Sequence, residues 1–140
     1  MAWLIYEFVD DRGDPVLAIW FRRERVQKNA RILFDQKVDL LAKYGPDLPP
    51  ELLAGPVDGH IYKLKVRAHG VQLRPHLCKG PVNNDTEYTF LCGAIEKNSE
   101  LDPIDVAERS ERNRQVILTD NNRRKSYERF VPKAKKRLPR

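Results

Sequence analysis

The chain has 140 residues, of which 41% are hydrophobic and 33% charged, and its net charge is +6. This is enough chain for one domain around one core, with the ordinary composition of a soluble globular protein. No apolar run approaches the ~20 residues that cross a bilayer. The first residues lack a basic leader, and Glu7 and Asp10 interrupt their apolar stretch. A soluble cytoplasmic protein is expected, with no membrane segment or signal peptide. Positions 121–140 hold nine Lys/Arg and one Glu, and the other 120 residues hold 17 basic and 19 acidic residues. The excess charge therefore belongs to a basic C-terminal tail (121–140), and the domain before it (1–120) is close to neutral. A basic tail suits nucleic acid or an acidic protein partner.

Trp3 to Val9, rich in aromatic and branched residues, reads as a first strand. Asp10 to Asp14 reads as a turn. Pro15 then suits the first position of a short helix over Val16 to Arg23, with Asp14 as its cap and Val16, Ile19 and Trp20 buried. A longer helix is predicted from Val26 to Tyr44. Ala30, Leu33, Phe34, Leu41 and Tyr44 form its apolar stripe, with Val38 beside them. Gly45 and Pro46 end it. The aromatics Trp20, Phe34 and Tyr44 read as core residues. Residues 47–59 contain Pro49, Pro50 and Pro56 and are expected to be an ordered loop.

His60 to Cys78 reads as a β-hairpin. Tyr62, Leu64 and Val66 alternate with Lys63, Lys65 and Arg67; Val71, Leu73, Pro75 and Leu77 alternate with Gln72, Arg74 and His76. A two-residue turn at His69-Gly70 pairs Arg67 with Gln72, Lys65 with Arg74 and Lys63 with His76. Val66 then meets Leu73, and Tyr62 meets Leu77. A slip of one residue would mix the faces. This register gathers Lys63, Lys65, Arg67, Arg74 and His76 on one face. Like charges placed opposite each other destabilise a sheet, and a merely solvated face would alternate its signs. An all-basic face points to a polyanion. Pro75 cannot donate to a ladder and should mark a bulge or an unpaired edge.

Positions 79–87 read as a turn, Tyr88 to Ile95 as a strand and Asn98 to Leu101 as a connector. Asp102 and Pro103 open a last helix that reaches Leu118, with Ile104, Ala107, Ile117 and Leu118 as core contacts. The highly charged middle of this helix predicts that it packs at its ends or lies partly exposed. Tyr127 and Phe130 fall in the tail, as a helical arm or a disordered segment. Cys78 and Cys92 are the only cysteines. With His60, His69 and His76 they make no zinc-binding spacing, and free buried thiols on neighbouring strands are expected.

The order strand, two helices, antiparallel strands, helix resembles the RelE/ParE toxin superfamily in its phage-derived, HigB-like branch. The resemblance is carried by Lys43-Tyr44-Gly45-Pro46, by the run from Gly59 to Arg67, by Gln72-Leu73-Arg74 and by the run from Leu91 to Lys97. It spans roughly residues 1–118. It implies an α+β, RelE-like fold: an N-terminal strand and two helices packed on a twisted antiparallel sheet, with a C-terminal helix. It also implies the toxin of a type II toxin–antitoxin pair, a ribosome-dependent mRNA endonuclease that needs no metal or cofactor. Its partners would be mRNA in the 30S A site and a helix-turn-helix antitoxin. The ParE relatives, which share the fold, instead inhibit DNA gyrase, and a third possibility is an RNA-binding protein without catalysis.

By position, Arg74 corresponds to the arginine that meets the scissile phosphate, and Lys63, Lys65 and Arg67 to the basic hairpin strand. Cys92, Ala94 and Glu96 stand where the family commonly has a histidine, an aromatic and a basic residue. Metal-free RNA cleavage requires a base for the 2′-hydroxyl, cations for the phosphorane and an acid for the leaving oxygen. Arg74 and Lys65 are assigned to charge stabilisation and His76 to acid–base chemistry. Lys63, Arg67, Gln72 and Lys97 are assigned to RNA binding. Glu96 is assigned a salt bridge before a role as base.

Overall fold

The computed structural model describes residues 2–130, apart from the side chain of Asp58. The basic stretch at 131–140 lies outside the described residues. Among the described residues, ten strands, three α-helices and a short 3-10 turn at Gly45–Asp47 follow one another. Strand β1 (Leu4–Phe8) leads into helices α1 (Val16–Arg23) and α2 (Lys28–Tyr44). Strands β2 (Leu53–Asp58), β3 (Ile61–Leu64), β4 (Val66–Ala68), β5 (Val71–Leu73) and β6 (His76–Lys79) come next. Then come β7 (Glu87–Cys92), β8 (Ile95–Lys97), β9 (Glu100–Asp102), helix α3 (Val106–Thr119) and β10 (Arg124–Ser126).

The protein is mixed α+β, as expected, but not on a single antiparallel sheet. Six strands form one sheet in the order β10-β1-β7-β6-β3-β2, and four form a second in the order β4-β5-β8-β9. Strand β1 runs parallel to β7, because the α1–α2 pair and the following strands return the chain to its far side.

Strand β7 lies at the centre, and all six of its residues are buried. Alternation sends its side chains to two cores. Tyr88 and Phe90, with Leu77 of β6, join Trp20, Phe34 and Leu41 beneath α1 and α2. Leu91 and Cys78 join Phe8, Ile61 and Ile117 beneath α3. The larger core is knit by ring contacts, with Phe34 between Phe21 at 4.9 Å and Phe90 at 5.9 Å.

The helices depart from the sequence reading in ways that packing explains. Helix α1 buries Leu17, Trp20 and Phe21, while Val16 and Ile19 are only half covered. Its first turn has no cap from Asp14. The buried Glu7 carboxyl on β1 accepts from the Leu17 N–H at 3.0 Å instead, which satisfies one of the unpaired N–H groups at the start of the helix. Helix α2 ends at Gly45, whose positive φ of 52° no side chain needs to share and whose Cα abuts the Trp3 indole. Tyr44 is 44% exposed and is not a core residue. Helix α3 starts later than expected because Glu100–Asp102 pairs with β8. Ile104 and Leu118 are exposed, and Val106 and Ile117 are the buried anchors.

Two segments not read as strands contain them. Positions 53–58 form the edge strand β2, where Pro56 is tolerated because no further strand needs its N–H. The start of the tail is neither a helical arm nor loose. Strand β10 pairs antiparallel with β1, and Tyr127 inserts into the larger core and donates to Asp35 on α2 at 2.5 Å. The folded unit therefore continues to Phe130, past the boundary expected at 120. The two cysteines are free and buried on neighbouring strands, as expected.

Two stability predictions follow from this packing. Burial pushes the Glu7 carboxyl up to about 7, against the lowering effect of the Leu17 N–H. A carboxyl held above its unfolded value stabilises the fold below the ordinary glutamate range and loses that contribution as pH rises to about 7. Glu7→Gln keeps an acceptor for Leu17 and should gain on wild type by on the order of 2–3 kcal/mol between pH 4.5 and pH 8. Denaturant unfolding at several pH values measures this, and a pH-independent difference would refute it. Gly93→Ala should cost about 1–3 kcal/mol in the same assay, because a Cβ there would overlap the Trp20 indole.

Candidate nucleic-acid interface

The hairpin forms in the expected register. Val66 pairs with Leu73, Arg67 with Gln72, Tyr62 with Leu77 and Lys63 with His76. His69 and Gly70 take φ values of 52° and 82°, the two positive angles of a type I′ turn. The hairpin is nevertheless divided between the two sheets. At the division, Lys65 donates its N–H to Leu52 O at 2.7 Å, and Arg74 donates its N–H to Ala94 O at 2.8 Å. Pro75 sits at this break and offers only its carbonyl, to the Leu64 N–H at 3.0 Å. The expected irregularity follows at once, as a register shift between His76 and Leu77 against β7.

The division splits the basic residues. Lys65, Arg67 and Arg74 line one open hollow of about 250 Å³. Lys37 from α2 and Glu51 and Leu52 from the segment before β2 complete it. Lys63 and His76 belong to the six-stranded sheet and do not line the hollow. Neither does Gln72, and Lys97 is exposed at the end of β8. Lys37 and Glu51 were not singled out from the sequence. Lys37 looks like one more polar residue on an amphipathic helix, and Glu51 lies in a proline-rich stretch with no periodicity to orient it.

Arg74 is the most constrained of these groups, at 7% exposure. Its Nε donates to Glu96 at 2.9 Å, one Nη to Leu73 O at 3.0 Å and the other to the Gln72 side-chain oxygen. Glu96, from β8, thus balances the charge of Arg74 and forms the expected salt bridge. Among the described residues, Lys65 and Arg67 have no ion-pair partner. The hollow therefore presents two uncommitted cations on the hairpin, one on α2, and a fixed guanidinium whose fork is already oriented.

His76 is 1% exposed, and its Nδ1 donates to Arg74 O at 2.8 Å. Burial, reinforced by the charge of Lys63, lowers its pKa to about 4. The ring is therefore neutral near pH 7 and fixes the Arg74 backbone; it has no proton to deliver as an acid at that pH. Cys92 stands opposite it in the β6–β7 ladder.

No known protein family matches this chain, and no curated protein or solved structure is significantly similar to it.

The histidine makes a direct test. In a ¹H–¹⁵N titration of the imidazoles, His76 should remain neutral down to about pH 4. Because its folded pKa is depressed, His76 contributes stability above about 6.5 that is lost as pH falls toward 4. A His76 midpoint above 6 would overturn this placement.

Proposed function

We propose that this chain is an RNA-cutting toxin of the RelE/HigB kind, a ribosome-dependent, metal-free mRNA endonuclease held in check by a helix-turn-helix antitoxin. The observation that carries the reading is the hollow lined together by Lys37, Glu51, Lys65, Arg67 and Arg74. Cations of two kinds converge there on a space open to solvent, as an RNA backbone requires.

The chemistry assigns each group a task. Glu51 removes the proton of the substrate's 2′-hydroxyl, whose oxygen attacks the adjacent phosphorus. The P–O5′ bond breaks, leaving a 2′,3′-cyclic phosphate and a free 5′-hydroxyl. Arg74 and Lys65 stabilise the charge of the phosphorane, which is the largest single contribution expected of such groups. With His76 buried and neutral, the leaving oxygen takes its proton from the ammonium of Lys65 or Lys37. Arg67 holds a flanking phosphate.

A second reading has its own support. Glu96 and Gln72 occupy much of the Arg74 fork, and Glu96 is a position where the family commonly has a basic residue. This favours an RNA-binding protein without cleavage.

Purified protein, ribosomes and a defined mRNA separate the two. Under the first reading wild type cuts the mRNA, and Glu51→Gln and Lys65→Ala each lose on the order of 10²-fold or more in rate while keeping the wild-type circular dichroism spectrum. Intact mRNA, with RNA affinity that falls steeply with salt, would leave only the second. Equal cutting by wild type and both variants would remove the hollow from the mechanism.

A further inference from the structure

The outer face of the second sheet carries a row of polar side chains beside the hollow. Val66, Ala68, Leu73 and Ile95 turn toward the larger core. Alternation therefore puts Arg67, Gln72, Arg74 and Glu96 on the opposite face. Arg67, Gln72 and Glu96 are cross-strand partners on β4, β5 and β8. The row thus runs from a cation that lines the hollow to an amide and a carboxylate that do not.

This row is built around one guanidinium. Arg74 is only 7% exposed and yet lines the hollow. Its Nε donates to Glu96 at 2.9 Å, one Nη to Leu73 O at 3.0 Å and the other to the Gln72 side-chain oxygen. A guanidinium carries five N–H groups, so these contacts leave one N–H on each Nη. A phosphate takes two such donors in a bidentate contact. The group is therefore held without being used up. A buried guanidinium without a partner would be costly, and a loose one would lose rotamer freedom on meeting a ligand. Glu96 removes both costs before any ligand arrives. An acid beside a cationic hollow would by its charge alone weaken the hold on a polyanion. Here the same acid fixes the arginine that the polyanion meets. The two effects have opposite signs, and truncating Glu96 separates them.

We propose that Glu96 and Gln72 are positioning residues of the RNA site: they hold the Arg74 guanidinium in one orientation at the hollow, with an N–H of each Nη left for a backbone phosphate. This rests on the reading of the hollow as an RNA site and applies whether or not the bound RNA is cut. It gives Gln72 a task on Arg74 in place of one on RNA.

Binding is measured by co-sedimentation with ribosomes carrying an mRNA whose A-site codon has 2′-deoxy sugars and cannot be cut. Glu96→Ala should bind at least about fivefold more weakly than wild type, although it removes a negative charge, and Gln72→Ala should weaken binding in the same direction. Glu96→Gln keeps an acceptor for Nε and should stay within about twofold of wild type. Glu100→Ala, at an exposed acid on β9, should not weaken binding. In the free protein the Arg74 Nε–H resonance, assigned by its loss in Arg74→Lys, should exchange slowly with water in wild type and in Glu96→Gln, and rapidly in Glu96→Ala. Gln72→Ala, at a half-buried position, keeps the test open if Glu96→Ala does not fold. Binding by the alanine variants as tight as wild type, a loss in Glu96→Gln equal to that in Glu96→Ala, or rapid exchange of the wild-type Nε–H would each overturn the proposal and leave the RNA site standing. Wild type that binds programmed ribosomes no better than mRNA-free ones would remove the RNA site and the proposal together.

Discussion

Strand β7 is covered on both faces, and the remainder of the fold is arranged to keep it so. Its odd and even side chains must each find an apolar neighbour, which requires α1 and α2 on one side and α3 on the other. Its ladders must also be filled on both edges, which places β1 parallel on one side and β6 antiparallel on the other. A six-residue strand without a solvent face cannot shift register without exposing a large aromatic and leaving backbone groups unpaired. That rigidity fixes where β7 ends and, through β6, where the hairpin that carries Lys65 and Arg74 enters the six-stranded sheet.

The same sheet explains how acids and bases are used. Glu7 and Asp35 are buried, and each holds a backbone N–H at a critical join. Glu7 fixes the start of α1, and Asp35 accepts from Tyr127 and from the Phe130 N–H. Burial raises both carboxyls, and the hydrogen bonds they accept oppose that rise. Arg31 lies between the rings of Phe21 and Phe130, at 4.0 and 5.1 Å, so a cation on α2 helps to seat the end of the described chain. The positive charge of residues 121–130 is partly offset by pairs such as Arg124 with Glu87 and Arg129 with Asp39. These residues are structural parts of the domain before they are a charged extension of it.

The division of the hairpin decides what the candidate interface is. An undivided hairpin would have aligned five basic groups along one flat face. The break at Lys65, Arg74 and Pro75 turns Arg67 with one sheet and Lys63 and His76 with the other. Only at the break do Lys65 and Arg74 meet residues from α2 and from the segment before β2. The resulting hollow is smaller than a continuous face and contains a carboxylate, which a uniformly basic face would lack.

The hairpin's register, its two-residue turn, the irregularity at Pro75, the first strand, the end of α2 at Gly45 and the free cysteines were all legible in the sequence. Each depends on neighbours in the chain: alternation, a residue that accepts positive φ, or a missing N–H. The parallel pairing of β1 with β7, the second sheet, the edge strand at 53–58 and the docking of β10 were not legible, because nothing local specifies which distant strand fills a ladder. The same division runs through the site. That Lys65 and Arg74 are cations close to one another followed from the alternation. That Glu96 holds Arg74, that His76 is sealed from water, and that Lys37 and Glu51 join the hollow depended on contacts across long separations, where burial and charge balance are set by the packed chain as a whole.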